Sequence, residues 1–556
     1  MQTLHWVDWT VLLTTILFIV SYGTYITRKN ADVKDYIKGG NDTKWWTIGL
    51  SVMATQASAI TFLSTPGQAF HDGLGFVQFY FGLPIAMVII CLVFIPIYYK
   101  LNVYTAYEYL ESRFDLKTRT LTAILFLIQR GLAAGITIFA PAIILSAVLG
   151  WNLLYLNIII GVLVIIYTVS GGTKAVNVTQ KQQMIVIFAG MLIAFYLILQ
   201  YLPDGITFSK ALDIAGASGK MEVLDFSFDL NNRYTVWTGF LGGTFLMLSY
   251  FGTDQSQVQR YLSGKSLRES QLGLLFNGLL KVPMQFFILM VGVMVFVFYQ
   301  FNSSPLNFNP TAKQVAEKSL MYKVLQKEHQ DIEASKQLLL EDGLQTEETK
   351  LLQELNARDL KLKEEAKAII AKTDPNIETN DKDYVFINFI LNNLPKGIIG
   401  LLLAVILAAA MSSTASELNA LASTTAIDLY RRNKQEHDEL HYVKASKWFT
   451  LLWGIIAISV ACIANLFDNL IQLVNIIGSI FYGNVLGIFL LAFFIKYVKG
   501  RAVFIAALLT QVIIIGVFFM DWLPYLWLNL LGCVLVMFFA TFIQSISKNN
   551  RVETKS

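Results

Sequence analysis

Charged residues are scarce in this sequence. Only 15% of the 556 residues are Asp, Glu, Lys or Arg, whereas 55% are hydrophobic and the mean hydropathy is +0.54. A water-soluble domain of this length does not tolerate such a composition on its surface. The net charge is only +4, with no basic stripe and no aromatic-spaced RNA motif, so we do not expect a nucleic-acid partner.

Cysteine is also rare. Cys91, Cys462 and Cys533 all lie in apolar stretches without metal-like spacing, which excludes a disulfide framework and a thiolate metal site. No catalytic constellation is visible, so the chain is not expected to be an enzyme.

Long apolar runs dominate what is present. Runs of 18 or more residues recur from Trp9 to Phe542, and each is long enough to cross a hydrocarbon core as a helix. The predicted spans are thirteen in number, at 6–27, 44–69, 73–99, 117–149, 152–170, 179–202, 235–257, 270–300, 397–429, 446–466, 469–496, 501–520 and 524–546. The odd number puts the termini on opposite sides of the cell membrane. Basic loops, such as the one at 171–181, place the N-terminus outside and the C-terminus in the cytoplasm.

The spans divide into segments of different character. An extra N-terminal span with its cytoplasmic loop occupies 1–43, and the C-terminal spans with a short tail occupy 498–556. Between them, the main membrane region at 44–302 and 386–497 is interrupted by 303–385, which is rich in Lys, Glu, Gln and Leu at helical spacing. We expect this insertion to be an extracytoplasmic helical hairpin. It is either a solvated cap, an oligomer contact or a device for capturing substrate.

Two predicted spans contain residues that interrupt ordinary helices. The second carries Thr55–Ala59 and Ser64–Gly67 in its interior, and the seventh carries several glycines, Gly239, Gly242, Gly243 and Gly252. Carbonyls freed at membrane depth need an ion or a polar cavity to satisfy them. The two spans lie five apart in order, which is the layout of an inverted repeat with its binding site at the midplane.

The ninth span carries small and hydroxylated residues on one face. Ala409, Ser412 and Ser413 stand at i, i+3 and i+4. Together with the carbonyls of Ala54 and Ala57 they would form a neutral cage of five oxygens for a monovalent cation. Such residues also serve simply to let membrane helices pack closely, and the spacing alone leaves both interpretations open.

Several stretches match a known family. They are residues 58–67, 107–114, 139–145, 167–176, 252–263 and 408–416. Over about 40–300 and 395–495 the chain resembles the sodium/solute symporters. Thr65-Pro66-Gly67 and Ala140-Pro141-Ala142 are most similar to the branch of monocarboxylate, multivitamin and iodide carriers and their bacterial relatives.

This resemblance implies an all-α membrane protein with the five-plus-five inverted repeat of the leucine transporter, and sodium-driven import of a small solute by alternating access. It places the main sodium site on the cage of Ala54, Ala57, Ala409, Ser412 and Ser413. Family members with a second sodium site have an aspartate at the position of Gln180 and a hydroxyl residue at that of Ala415, although Ser416 remains. We therefore expect one sodium ion per cycle.

The resemblance also bears on the solute. Carboxamide and carboxylate side chains that hold sugars in the sugar-carrying branch are replaced by Thr61 and Val77, whereas Tyr250 matches the aromatic residue that closes the site. A small carboxylate or a similar metabolite therefore fits better than a sugar, which remains the alternative substrate. Further polar candidates for solute contact are Ser58, Gln78, Gln472 and Asn475.

Arg130 is a charge inside the apolar run 119–149, and an intramembrane charge is a functional candidate. It would clamp a substrate carboxylate, snorkel to the inner surface or pair with a structural acid.

Two other function classes are compatible with a polytopic chain. A sensor with a transporter fold is expected to carry a large cytoplasmic domain, and a channel needs a filter or a ring of charge. Neither feature is apparent, so a transporter is the preferred prediction. The oligomeric state is left open.

Overall fold

The computed structural model describes residues 4–27, 42–101, 103–229, 232–341, 343–375, 377–432, 438–463 and 470–553. Most of the predicted cytoplasmic loop within 1–43 lies outside these ranges. The described residues form the following α-helices: α1 (Trp6–Thr27), α2 (Trp45–Gln56), α3 (Ala59–Asp72), α4 (Gly82–Ile89), α5 (Ile95–Leu101), α6 (Glu108–Arg113), α7 (Leu116–Leu149), α8 (Leu153–Gln200), α9 (Phe208–Ala217), α10 (Gly243–Gly252), α11 (Gln255–Leu262), α12 (Leu267–Phe301), α13 (Pro310–Ala316), α14 (Leu320–Leu339), α15 (Thr349–Thr373), α16 (Lys382–Asn393), α17 (Ile398–Thr424), α18 (Glu439–Ile463), α19 (Leu470–Phe494), α20 (Gly500–Phe519) and α21 (Tyr525–Glu553). Short 3₁₀ or π segments lie at Gly73–Tyr80, Ile90–Phe94, Thr238–Gly242, Thr346–Glu348 and Thr425–Arg431.

Many of these helices have the length and composition of membrane spans. Nine stretches of the described residues qualify: Ala59–Leu101, Leu116–Ile143, Thr179–Gln200, Leu267–Phe301, Ile398–Arg431, Glu439–Ile463, Leu470–Phe494, Gly500–Phe519 and Tyr525–Ser547. Shorter apolar helices lie at Trp6–Ile19 and Leu153–Ile166, and the 43-residue stretch Ala59–Leu101 contains parts of two predicted spans. The polytopic all-α class is confirmed.

Helix α8 differs from its prediction. It runs unbroken for 48 residues, so the loop predicted at 171–181 is wrong and the backbone there is helical. The predicted spans 152–170 and 179–202 are therefore joined by helical backbone and not by an irregular loop.

Two breaks interrupt helices that pack against α17. One separates α2 from α3 at Ala57 and Ser58, and the other separates α10 from α11 at Thr253 and Asp254. Helix α11 packs against both α2 and α17, and α17 also packs against α2, α3 and α7. The interruptions predicted in the second and seventh spans are confirmed, and both lie beside α17.

Close backbone contacts hold helix α3 in place. A Cβ atom on Gly67 would lie 1.8 Å from the carbonyl oxygen of Lys382, and one on Gly292 would lie 2.1 Å from that of Pro66. Only glycine allows such approaches. The Pro66-Gly67 pair thus docks α3 tightly against α12 and α16, so the half-helix after the first break has a fixed position.

The insertion at 303–385 contains helices α13, α14 and α15. Helices α14 and α15 pack together through an apolar cluster of its own, which includes Tyr322, Leu325, Ile332, Leu362, Ala366 and Ile370. The segment therefore has a small core of its own, separate from the main core of the membrane helices.

A buried ionic network links these two helices. His329 Nδ1 lies 2.6 Å from Asp359 Oδ1, and its Nε2 lies 3.2 Å from Glu333 Oε1. Lys336 donates to Asp359 Oδ2 at 3.0 Å. Burial lowers the pKa of His329, but the hydrogen bonds to Asp359 and Glu333 outweigh this and leave the pKa above its usual value. The stabilisation from protonated His329 is therefore present below a pH of about 6.5 and is lost as the pH rises through the raised pKa.

Asp359→Asn tests this network. Breaking a buried ion pair costs about 3 kcal/mol, so we expect amide protection across 320–373 to fall by that amount at pH 6. In the wild type we expect amide protection to fall between pH 6 and pH 8.5 as His329 loses its proton. In Asp359→Asn we expect this fall to be smaller. Hydrogen exchange of the whole chain, corrected for intrinsic rates, measures both effects.

Glu328→Gln is the matched control, because Glu328 forms an exposed ion pair with Arg358 on the same two helices. Its expected cost is below about 1 kcal/mol. Equal losses of amide protection in Asp359→Asn and Glu328→Gln would show that the buried network does not stabilise the insertion more than an exposed ion pair does.

Candidate functional site

The first helix break exposes backbone oxygens in the protein interior. Helix α2 ends at Gln56, and the amide of Ala57 still donates to Met53 O at 2.7 Å. Ser58 is extended, with φ −76° and ψ 177°, so the helical hydrogen bonds stop there. Ala54 lies in the last turn of α2 and Ala57 is its C-cap, and the amide of Thr61, four residues after Ala57, donates to Ser58 O at 3.0 Å. This turn therefore presents acceptors where a membrane helix normally presents none.

The facing surface of α17 supplies hydroxyl groups. Ser412 is 1% exposed, and its Oγ has no hydrogen-bond partner among the described residues. Ser413 is fully buried and donates to the carbonyls of Ala409 and Ala410, both at 3.1 Å. An unpartnered buried hydroxyl is costly. A bound cation would satisfy the Ser412 hydroxyl, and the five-oxygen sodium cage stays a prediction.

Gln180 occupies the place predicted for a lost second sodium site. Its Nε2 donates to Thr55 Oγ1 and to Ser416 Oγ, both at 3.1 Å, and its Oε1 accepts from Ser51 at 2.5 Å. The amide hydrogens thus point at the hydroxyl oxygens that would otherwise face an ion. Ala415 is fully buried and adds only a methyl group. Both ends of the Gln180 amide are therefore hydrogen-bonded within the protein.

A central cavity lies beside the broken turn. Its volume is about 80 Å³. Its walls combine polar and apolar side chains: Thr55, Gln56, Ser58, Ile60, Thr61, Phe79, Tyr80, Arg130, Thr137, Leu246, Met247, Tyr250, Glu417, Ile471, Val474, Asn475 and Tyr482. Among the candidates for solute contact, the structure brings together Ser58, Thr61, Arg130, Tyr250 and Asn475.

Gln78 and Gln472 do not line this cavity. The Gln78 amide donates to Tyr234 O at 3.0 Å and accepts from the Asp225 amide at 2.9 Å, which ties the 3₁₀ segment to a loop. Gln472 accepts from Arg233 at 3.1 Å and lines a separate cavity with Asp72 and Lys382 among others.

Arg130 lines the cavity and pairs with acids, as one of its predicted alternatives has it, whereas the clamp on a substrate carboxylate stays a prediction. Its guanidinium forms ion pairs with Asp254 and, at 3.0 Å, with Glu417. It also donates to Tyr482 Oη at 2.5 Å and lies 5.3 Å from the centre of the Tyr250 ring. Snorkelling is excluded, because the residue is only 2% exposed within the protein.

Glu417, Asp254, Tyr482 and Thr137 were missed by sequence reasoning. Glu417 follows Ser413 by four residues inside an apolar span, and an acid at that depth is a signal that would have found it. Tyr482 and Thr137 carry no such signal, because each is an ordinary residue until the fold brings it to Arg130.

Comparison with known proteins gives a consistent result. The sequence model of the sodium:solute symporter family matches residues 36–326 and 368–510, which omits most of α14 and α15. The bovine sodium-coupled monocarboxylate transporter 2 is 30% identical over 286 residues, which are 50% of this chain and 45% of that protein. The human sodium/iodide cotransporter is 33% identical over 272 residues, 48% of this chain and 41% of that protein. These alignments thus span less than half the length of those relatives.

Two further matches extend over nearly the whole chain. The sodium/sialic acid symporter of Proteus mirabilis is 25% identical over 554 residues, covering 96% of this chain and 94% of that protein. A solved Na⁺-coupled sialic acid symporter in a substrate-bound outward-open state superposes with a TM-score of 0.76 at 22% identity, covering 97% and 98% of the two chains. The structural match shows a shared fold, which confirms the predicted fold class. The chain belongs to the sodium:solute symporter family.

Proposed function

We propose that the protein is a sodium-coupled symporter that imports a small organic solute by alternating access. The observation that carries this proposal is the unpartnered hydroxyl of Ser412 opposite the broken turn at Ala57. Sodium is a transported substrate that takes oxygens from Ala54, Ala57, Ala409, Ser412 and Ser413. Its binding joins α17 to the turn between α2 and α3, and the turn forms one wall of the central cavity. Ion and solute binding are therefore coupled through shared elements.

A single sodium ion per cycle is the second part of the proposal. The Gln180 amide is satisfied by Ser51, Thr55 and Ser416, and a bound cation there would meet N–H groups instead of oxygens. A hard cation is poorly served by such donors.

The solute is proposed to be a small carboxylate. The relatives named above carry monocarboxylates, iodide or sialic acid, all of which are anions at neutral pH. The cavity contains one guanidinium, at Arg130, and apolar wall residues that include Ile471 and Leu246. An anionic group beside Arg130 and an apolar body against Ile471 and Leu246 fit this wall.

The protein is proposed to lie in the cell membrane with its N-terminus outside and its C-terminus in the cytoplasm. Basic residues in the other predicted cytoplasmic loops, at 100–117, 258–269, 431–447 and 496–501, support this orientation. The same topology puts the insertion with α14 and α15 outside.

Uptake by proteoliposomes tests the coupling. We expect a panel of small carboxylates, sugars and vitamins to contain a solute whose uptake rises at least about tenfold when external choline is replaced by sodium, because a typical coupling free energy has this size. Uptake that is equal in sodium and choline for every transported solute would contradict sodium coupling.

Ser412→Ala tests the cage. Losing one oxygen contact to a charge costs about 1.5–3 kcal/mol, so the sodium concentration for half-maximal uptake is expected to rise roughly tenfold or more. Ser423→Ala is the matched control, since Ser423 is buried on the same helix and its hydroxyl bonds to Asn419 O at 2.7 Å. An equal rise of the half-maximal sodium concentration in Ser412→Ala and Ser423→Ala would show that the ion does not bind at Ser412.

Flux ratios test the stoichiometry. Parallel measurement of ²²Na⁺ and solute uptake is expected to give one sodium ion per solute in the wild type, because Gln180 closes the second site. In Gln180→Asp/Ala415→Ser, the restored carboxylate and hydroxyl are expected to raise the ratio towards two. A wild-type ratio of two would refute the assignment.

A further inference from the structure

Glu417 is an acid on the sodium-binding helix whose role the cage does not explain. It follows Ser413 by one helical turn, so the two residues lie on about the same face and are separated by about 6 Å along the helix axis. Its side chain lines the same cavity as Thr55 and Ser58, which flank the broken turn at Ala57. A sodium ion in the cage would therefore lie close to this carboxyl group.

The contacts of Glu417 are those of an ionised carboxylate. Its Oε1 accepts from Arg130 Nη1 at 3.0 Å, and its Oε2 accepts from Thr137 Oγ1 at 2.8 Å. The hydroxyl of Thr137 also lies within hydrogen-bond distance of Ala134 O, at 2.9 Å, so the ion pair with Arg130 is the contact that favours the charged carboxylate. The side chain is only 5% exposed, so water screens this charge little.

The charges around Arg130 do not balance. Arg130 contributes one positive charge, and Asp254 and Glu417 contribute two negative charges. Asp254 is anchored independently of Arg130, because it also accepts from the Ser256 amide at 2.9 Å and from Tyr482 Oη at 2.9 Å. Glu417 is therefore the acid whose negative charge is not neutralised within the cluster. A cation in the neutral cage one helical turn away would neutralise it.

We propose that Glu417 is the electrostatic link between the sodium site and Arg130. Its carboxylate strengthens sodium binding, and bound sodium weakens its hold on Arg130, whose guanidinium then turns to the solute. Without sodium, an anionic solute would leave two uncompensated negative charges in the cavity, whereas with sodium it leaves one. The order of binding, sodium first and solute second, follows from this charge count.

The role assigned to Glu417 rests on the proposed sodium-coupled transport, and sodium alone is a sufficient probe for it. Equilibrium binding of ²²Na⁺ to the purified full chain is measured for the wild type and its variants. In Glu417→Gln the dissociation constant for sodium is expected to rise about tenfold, because an opposite charge at close range is removed. In Glu417→Asp, which keeps the charge, it is expected to stay within about threefold of the wild type.

A double variant is expected to change the sodium affinity in the opposite direction. Arg130→Gln/Asp254→Asn removes one positive and one negative charge, so the net charge of the cluster stays the same while Glu417 loses its competing partner. Replacing a buried ion pair by neutral groups is commonly tolerated. Sodium is expected to bind about threefold or more tightly than in the wild type, whereas a merely structural role of the cluster predicts weaker binding in every variant.

The possible results separate clearly. Tighter sodium binding by the double variant supports the link even where Glu417→Gln does not fold into a monodisperse protein. Unchanged sodium affinity in folded Glu417→Gln, or weaker binding by the double variant, overturns the link while leaving sodium-coupled transport intact. Absence of specific sodium binding by the wild type is a different result, and it refutes the proposed function itself.

Discussion

The uncoiled turn at Ala57 and Ser58 is the constraint on which the rest of the site depends. Backbone carbonyls without amide partners are costly at membrane depth, so the fold must place a compensating group opposite them. Helix α17 packs against α2 and α3 and carries Ser412, whose hydroxyl is also unsatisfied. The close packing of Gly67 and Gly292 prevents the half-helix α3 from moving to close the break. The proposed cation would satisfy both the turn and Ser412.

Buried charged residues also line the cavity. Removing one partner from a buried ion pair is expensive, and the structure gives Arg130 two acids and a tyrosine hydroxyl. Helices α7, α11, α17 and α19 each contribute one member of this cluster. A change at any one of them therefore reaches the solute-binding wall, which provides a physical route by which ion binding and solute binding influence each other.

The sequence predicted those parts of the site that depend on local pattern. Ser412 and Ser413 share a face because of helical periodicity, and the polar stretch 55–59 marks the break. Resemblance to a family identified Gln180, whose neutral amide now proves to be hydrogen-bonded in place. The meeting of Arg130 and Glu417 joins residues 287 positions apart and has no local signature. The hydrogen bond that draws Gln78 to Asp225 likewise depends on tertiary structure. The continuous helix α8 escaped prediction because basic residues resemble a loop when only hydropathy is read.

The central claim is that sodium binds between the broken turn and Ser412, and hydrogen exchange at these residues tests it most directly. Peptides that cover 54–61 and 405–420 are followed in the wild type and in Ser412→Ala, with sodium or choline as the only monovalent cation. The account predicts that sodium slows exchange at the turn in the wild type and leaves it unchanged in Ser412→Ala. Exchange at the turn that is the same in sodium and choline would contradict it.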